Sequence, residues 1–224
     1  MTHKPIILEW DGIIGAGKTF CVNAAKQLIE ERTNMKVVII EEPVSDWVNS
    51  GNLSRYYDDQ NRWAYEFQTV AFVGRIRKCI EAYRKYGDNV DIYIMERSCI
   101  SDRLFMSMLF ENGTIDSLTM NNYEEWYALW TKLMPFRPNA ILYVRTPISI
   151  CMKRIEERGR ESEKNITVEY QTSLQDKHDE VFMKGLEIDG EVIATHIVDI
   201  SEKVSPELLD RLYNQLMSII SLHK

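Results

Sequence analysis

Apolar positions along the chain fall into two alternating rhythms. Short continuous runs, at Ile6–Trp10, Lys36–Ile40, Asp91–Met95, Ala140–Val144 and His196–Ile200, are rich in Ile, Val, Leu and Tyr and break off quickly, as strands buried on both faces do. Between them, apolar residues recur at helical spacing. Thr19–Glu31 carries Phe20, Val22, Ala24, Ala25, Leu28 and Ile29, and Asn61–Tyr86 carries Trp63, Phe67, Val70, Ala71, Ile76 and Ile80. Tyr123–Met134, Thr167–Leu186 and Pro206–Ser221 read the same way. Thr146-Pro147 reads as the cap and first turn of a helix over Ile148–Arg158. Strands alternating with helices predict an α/β fold, a five-stranded parallel sheet flanked by helices. Two helices between the second and third strands exceed what a crossover needs, and that surplus is where a lid or partner surface would sit.

Composition narrows the picture. At 224 residues with no linker, repeat or low-complexity tract, residues 1–224 read as a single domain. A net charge of −7 argues against a general nucleic-acid or anionic-membrane surface. Cys21, Cys79, Cys99 and Cys151 are widely spaced and form no CxxC pair, which predicts buried, reduced thiols. No apolar run is long enough to span a bilayer, and only Met1-Thr2-His3-Lys4 precede the first strand, so the expected location is cytoplasmic.

In open α/β sheets ligands bind beyond the carboxyl ends of the strands, so the residues following each strand carry the chemistry. The first strand runs into Gly12-Ile13-Ile14-Gly15-Ala16-Gly17-Lys18-Thr19, the pattern G-x-x-x-x-G-K-[ST] of a phosphate-binding loop. Its glycines let backbone N–H groups converge on a phosphate, Lys18 can reach the outer phosphates, and the Thr19 hydroxyl can hold Mg²⁺. The helix after it aims its positive end at the same ligand. After the second strand comes Glu42-Pro43-Val44 with Trp47, after the third Glu96-Arg97-Ser98 with Asp102, and after the fourth Arg154, Arg158 and Arg160, the first two on one helix face. Singly, each cluster reads as solvated carboxylates or surface ion pairs. Behind a phosphate-binding loop and at matching strand ends, they read together as a phosphoryl-transfer site.

Gly12–Thr19, Glu42-Pro43-Val44 with Trp47, Glu96-Arg97-Ser98 and Arg154-x-x-x-Arg158-Gly159-Arg160 resemble the deoxynucleoside kinase family over Ile6 to about Asp199. Trp63-Ala64-x-x-Phe67-Gln68 and Glu124-Glu125-Trp126-Tyr127 add matches outside the catalytic motifs. The resemblance implies a P-loop kinase fold with an arginine-rich lid over about residues 154–166, which closes over the phosphates of ATP through Arg154, Arg158 and Arg160. It makes Glu42 the base for a 5′-hydroxyl, with Arg97 beside it and Lys18 and the loop gripping the donor, and gives Thr19 and Glu96 to Mg²⁺. Tyr57 and Glu163 align with residues that hold the 3′-hydroxyl and Gln68 with the reader of the base edge; Trp47, Leu53, Phe72 and Met106 form apolar walls. Arg75 and Asp102 resemble the deoxycytidine and deoxyguanosine kinase pattern, which implies preference for cytosine or purine deoxynucleosides over thymidine. A homodimer and nucleotide salvage follow from the same resemblance. Asp11 where relatives often have Glu, Ile13 and Ile14 where a polar loop residue is usual, and Phe20 where a second hydroxyl is common depart from the pattern and bear on donor handling. Asp199-Ile200-Ser201-Glu202 is expected to border the donor base. A nucleoside monophosphate kinase shares loop and lid but needs basic clamps rather than a carboxylate base, and the chain lacks the NKxD and DxxG motifs of a guanine-nucleotide switch.

Overall fold

A computed structural model describes residues 4–133, 136–188, 190–201 and 204–223. Met1–His3, Met134 at the predicted end of one helix, and Glu202 of the expected donor-base loop lie outside the described residues. Strands β1 (Ile6–Asp11), β2 (Val37–Ile40), β3 (Ile92–Glu96), β4 (Ala140–Val144), β5 (Leu186–Ile188) and β6 (Glu191–Val198) form one sheet in the order β2-β3-β1-β4-β6-β5. β2, β3, β1, β4 and β6 run parallel, and β5 pairs antiparallel with β6 at the edge. Every residue of β1 and of β4 is buried, as continuous apolar runs require when helices cover both faces.

The helices are α1 (Lys18–Arg32), α2 (Val44–Asn49), α3 (Asn52–Asp58), α4 (Gln60–Tyr86), α5 (Cys99–Glu111), α6 (Ser117–Leu133), α7 (Ile148–Arg158), α8 (Val168–Phe182) and α9 (Pro206–Ser221), with a 3-10 turn at Glu161–Glu163. The α/β, P-loop kinase architecture stands, with four corrections. The sheet has six strands rather than five, because β6 begins earlier than His196 and folds back on β5. Helix α8 ends at Phe182, short of the expected Leu186: Gly185 adopts φ +86, and a Cβ there would meet Val192 Cγ1 at 2.6 Å, so the chain turns into the hairpin. Thr146 does not cap α7; its hydroxyl donates to the Ala16 carbonyl at 2.9 Å, tying β4's exit to the phosphate-binding loop. The insertion between β2 and β3 holds three helices, α2 to α4, rather than two.

All four cysteines are buried and unbridged. No described helix is long and apolar enough to cross a membrane.

Candidate active site

β1, β2 and β3 deliver the site from neighbouring carboxyl ends. The loop leaving β1 packs so tightly that a Cβ at Gly12 would lie 2.4 Å from the Val144 carbonyl, and one at Gly17 2.4 Å from Ile200 Cδ1; both glycines have positive φ. Inside the loop Lys18 is buried, its Nζ donating to the Gly12 and Ile13 carbonyls at 2.9 and 3.0 Å. Burial and the neighbouring Arg97 bring its ammonium down to about 8, against the pull of Glu96, Glu42 and Asp11. At the head of α1 the Thr19 hydroxyl lies 2.9 and 3.0 Å from the two oxygens of Glu96, whose carboxyl is raised by burial against the field of Lys18.

Glu42 leaves β2 just before Pro43, which opens α2. Two guanidiniums hold it: Arg97 Nη1 at 3.0 and 3.1 Å and Arg75 Nη2 at 2.6 Å. Burial works against the charged carboxylate, but Arg97, Arg75 and Lys18 outweigh it and hold Glu42 down at about 2. Arg97 follows β3 with φ +57, the positive-φ non-glycine among the described residues, and its other nitrogens reach Asp11 Oδ1 at 3.2 Å and the Gly12 carbonyl at 2.7 Å. Arg75 comes from α4, where Gln68 lies two turns earlier on the same face. Its second Nη pairs with Asp102 of α5, and Tyr123 donates to the other Asp102 oxygen at 3.0 Å. Burial lifts Asp102 to about 6, against Arg75 and Tyr123.

These groups surround a cavity of about 300 Å³. Ile14, Gly15, Lys18, Thr19, Glu42, Glu96 and Arg97 line one part, and Trp47, Leu53, Tyr57, Gln68 and Arg75 another; Arg158, Arg160 and Glu163 reach in from the lid. Gln68 is almost fully buried, yet its Nε2 has no hydrogen-bond partner, and the same holds for Arg75 Nε. Arg158 and Arg160 both grip Glu163, with contacts of 2.6, 3.1 and 3.0 Å, so the lid's acid and two of its bases form one unit.

Eight of the expected residues stand off the cavity wall: Gly12, Ile13, Ala16, Gly17, Phe72, Asp102, Met106 and Arg154. Asp102 is fully buried behind Arg75. Phe72 packs in a separate cluster against Trp126, Tyr123 and Tyr127, and Met106 is enclosed in the main core. Arg154 donates to the Ala16 and Ile200 carbonyls at 2.8 and 3.0 Å, stitching α7 to the loop. Ile13 and Ala16 are likewise packed inward. Glu41, Val44, Ser45, Tyr56, Phe67, Phe105 and Tyr170, none of them among the expected site residues, complete the lining. Phe67 stacks on Tyr56 with centroids 4.6 Å apart, and the Tyr56 and Tyr170 hydroxyls meet at 3.0 Å. Adjacency to Gln68 and Tyr57 was a usable signal for Phe67 and Tyr56; Tyr170 becomes visible only once α8 is folded against α3.

A sequence profile described as deoxynucleoside kinase matches residues 8–221. Among curated proteins the chain is similar to a probable deoxycytidine kinase of fowlpox virus, at 35% identity over 80% of this chain and 71% of that one. It is also similar to deoxycytidine kinase 2 of Gallus gallus (31%, covering 91% of this chain and 85% of the relative) and to mitochondrial thymidine kinase 2 of Homo sapiens (28%, covering 82% and 66%).

Proposed function

The chain belongs to the deoxynucleoside kinase family, and on that premise we propose that it moves a phosphoryl group from ATP to the 5′-hydroxyl of a deoxynucleoside, favouring deoxycytidine or purine deoxynucleosides over thymidine. The observation that carries this reading is Glu42. It is an ionised carboxylate held by two arginines on the wall of the cavity that also receives Lys18, Thr19 and Glu96. Phosphoryl transfer needs positioning and charge stabilisation more than covalent chemistry, and the residues divide that work. Lys18 and the loop amides take the donor phosphates, and Arg158 and Arg160 approach from the lid. Glu42 accepts the hydrogen bond of the sugar hydroxyl. A carboxylate at about 2 is a weak base, so it orients the hydroxyl first and takes the proton only as the new bond acidifies it. Arg97 spans Glu42 and the loop and faces the charge that develops between them.

Mg²⁺ fits what is present. Thr19 and Glu96 offer two oxygen donors at the mouth of the loop. That suits an ion that keeps most of its water and shares phosphate oxygens. When bound, it neutralises charge on the transferring group.

The cavity supports the base preference. Gln68 and Arg75 present donors, two of them without partners, while Asp102 acts on the base through Arg75, whose fork it fixes. Acceptors on the edge of cytosine, a purine or thymine would all satisfy these donors, so the preference over thymidine rests on the Arg75–Asp102 pair filling the space that a thymine methyl would need. Tyr57 and Glu163 line the same cavity and are assigned to the sugar 3′-hydroxyl, with Trp47 and Leu53 as apolar walls. We also assign residues 1–224 to one catalytic unit with its lid over about 154–166, acting in nucleotide salvage as a homodimer. Steady-state kcat/KM for the four natural deoxynucleosides and their monophosphates, with ATP and Mg²⁺, tests the reading. Deoxycytidine or a purine deoxynucleoside is expected to lead; thymidine first would sink the Arg75–Asp102 argument, and turnover of monophosphates alone would remove Glu42's role.

A further inference from the structure

His178 is fully buried on α8, far in sequence from every motif at the strand ends. Its ring stacks on Tyr143 and meets Phe105 and Phe182 edge-on, at centroid distances of 6.0, 6.1 and 5.6 Å. Packing alone would be served by any aromatic ring, but the nitrogens are also engaged. Nδ1 lies 2.7 Å from the Leu174 carbonyl and Nε2 lies 3.3 Å from Asp11 Oδ1. Both partners are acceptors, and in the tautomer that carries its proton on Nε2 the ring donates to Asp11.

Asp11 is the hub of the buried end of the site. The same Oδ1 accepts from Gly12 N at 2.6 Å and from Arg97 Nε at 3.2 Å, whereas Oδ2 has no partner. Arg97 has an unfavourable backbone conformation, and such a residue persists only when its surroundings over-determine it. Its guanidinium is aimed by three attachments, of which Asp11 holds Nε and the Gly12 carbonyl and Glu42 hold the rest. Burial pushes the Asp11 carboxyl up, but His178 and Arg97 overcome it and hold it well below the usual carboxylate range. The helix bearing His178 also reaches the loop through Gln171, whose Nε2 donates to the Ile14 carbonyl at 2.5 Å, and carries Tyr170 to the cavity wall.

We propose that His178 is a positioning residue for phosphoryl transfer: from α8 it fixes Asp11, and through Asp11 it fixes the guanidinium of Arg97 and the entrance of the phosphate-binding loop. It touches neither substrate nor donor. The proposal rests on the phosphoryl-transfer reading of the site, and it places one determinant of turnover on the helix that follows the lid.

The test compares His178→Phe, which keeps the ring and deletes the donor, with His178→Gln, whose amide nitrogen stands where Nε2 does. In the Phe variant kcat is expected to fall about 10–100-fold, the scale of a misplaced catalytic group, while KM for the deoxynucleoside moves less than about threefold because the nucleoside walls are untouched. The Gln variant recovers most of kcat. Asp11→Asn costs a similar factor, and adding it to His178→Phe costs little more, because both changes break one chain of contacts. Should the Phe variant not fold, His178→Asn, whose amide nitrogen mimics Nδ1 instead, takes its place against Gln. Wild-type turnover in His178→Phe, equal losses in Gln and Phe, or losses that multiply with Asp11→Asn would overturn the inference while leaving the kinase reading intact. Absence of deoxynucleoside phosphorylation in the wild-type protein would instead bring down that reading, and the inference with it.

Discussion

At the scale of single residues, the site is governed by how few charges serve how many partners. Glu42 has two guanidiniums, Arg75 has two carboxylates, and Arg97 has Glu42, Asp11 and a loop carbonyl. Each group is buried, so removing one leaves its partners unpaired in a medium of low polarity. Glu42→Gln removes the proton acceptor while keeping size and one hydrogen-bond acceptor. It is expected to lower kcat by ~10²–10⁴-fold with a smaller change in KM, read by steady-state kinetics on the best deoxynucleoside; full retention of rate would rule out Glu42 as the acceptor of the proton. Glu42 and Arg97 were legible in the sequence because they sit two positions and one position past a strand end, where chain geometry leaves little choice of direction, whereas Arg75, in the middle of α4, was legible only through the family pattern. Asp102 and Phe72 were legible only as participants. Whether a helical side chain touches a ligand or stands one layer behind it depends on the rotation of α4 and α5, which local sequence does not encode.

At the scale of elements, β1 shows what a central strand demands. Neighbours pair with it on both sides and helices cover both faces, so no position of Ile6–Asp11 meets water. Glu9 lies in that strand, fully buried, and neither carboxyl oxygen has a hydrogen-bond partner. Burial, with Asp11 nearby, raises its carboxyl to about 8 against the opposing pull of the Ser98 and Ser101 hydroxyls and Arg75, so the folded protein keeps it as the neutral acid where an unfolded chain would ionise it. The sign follows from proton counts: between the ordinary carboxylate range and pH 8 the folded state binds more protons than the unfolded, so stability declines as pH rises through that window. Glu9→Gln removes the titrating proton. The gap in melting temperature between variant and wild type is therefore expected to widen from pH 5 to pH 8 by at least a few degrees, about 2–4 °C for each kcal/mol in a chain of this length. A gap that does not change with pH would mean that Glu9 is ionised or differently paired. Nothing in the alternation of apolar residues announces such a group; strand β1 was readable from its apolar run, and its acid was not. The β5–β6 hairpin was missed for a related reason: helical spacing through α8 does not mark its own end, and the signals are Gly185, which turns the chain out of the helix, and Gly190 between the two strands, both at positive φ.

At the scale of the molecule, α4 joins the cavity to the surface. Gln68 and Arg75 face inward on one side of the helix, and Val70 and Val73 stand exposed on the other. Helix α6 similarly buries Tyr123 against Phe72 and Asp102 while leaving Leu129, Trp130 and Leu133 exposed. Single exposed apolar residues are common on soluble proteins, whereas groups of them on neighbouring helices mark surfaces that pair. A symmetric dimer using both helices would remove these side chains from water in one isologous contact. Sedimentation at micromolar concentration is expected to give about twice the 26.3 kDa chain mass, and Val73→Glu with Trp130→Glu is expected to shift it to the monomer by burying like charges at the contact. Because Val73 lies two residues from Arg75 on the same rigid helix, the monomeric variant is also expected to lose deoxynucleoside affinity more than donor affinity. A wild-type monomer in that experiment would return α4 and α6 to ordinary surface helices, and an unchanged dimer in the double variant would move the contact elsewhere.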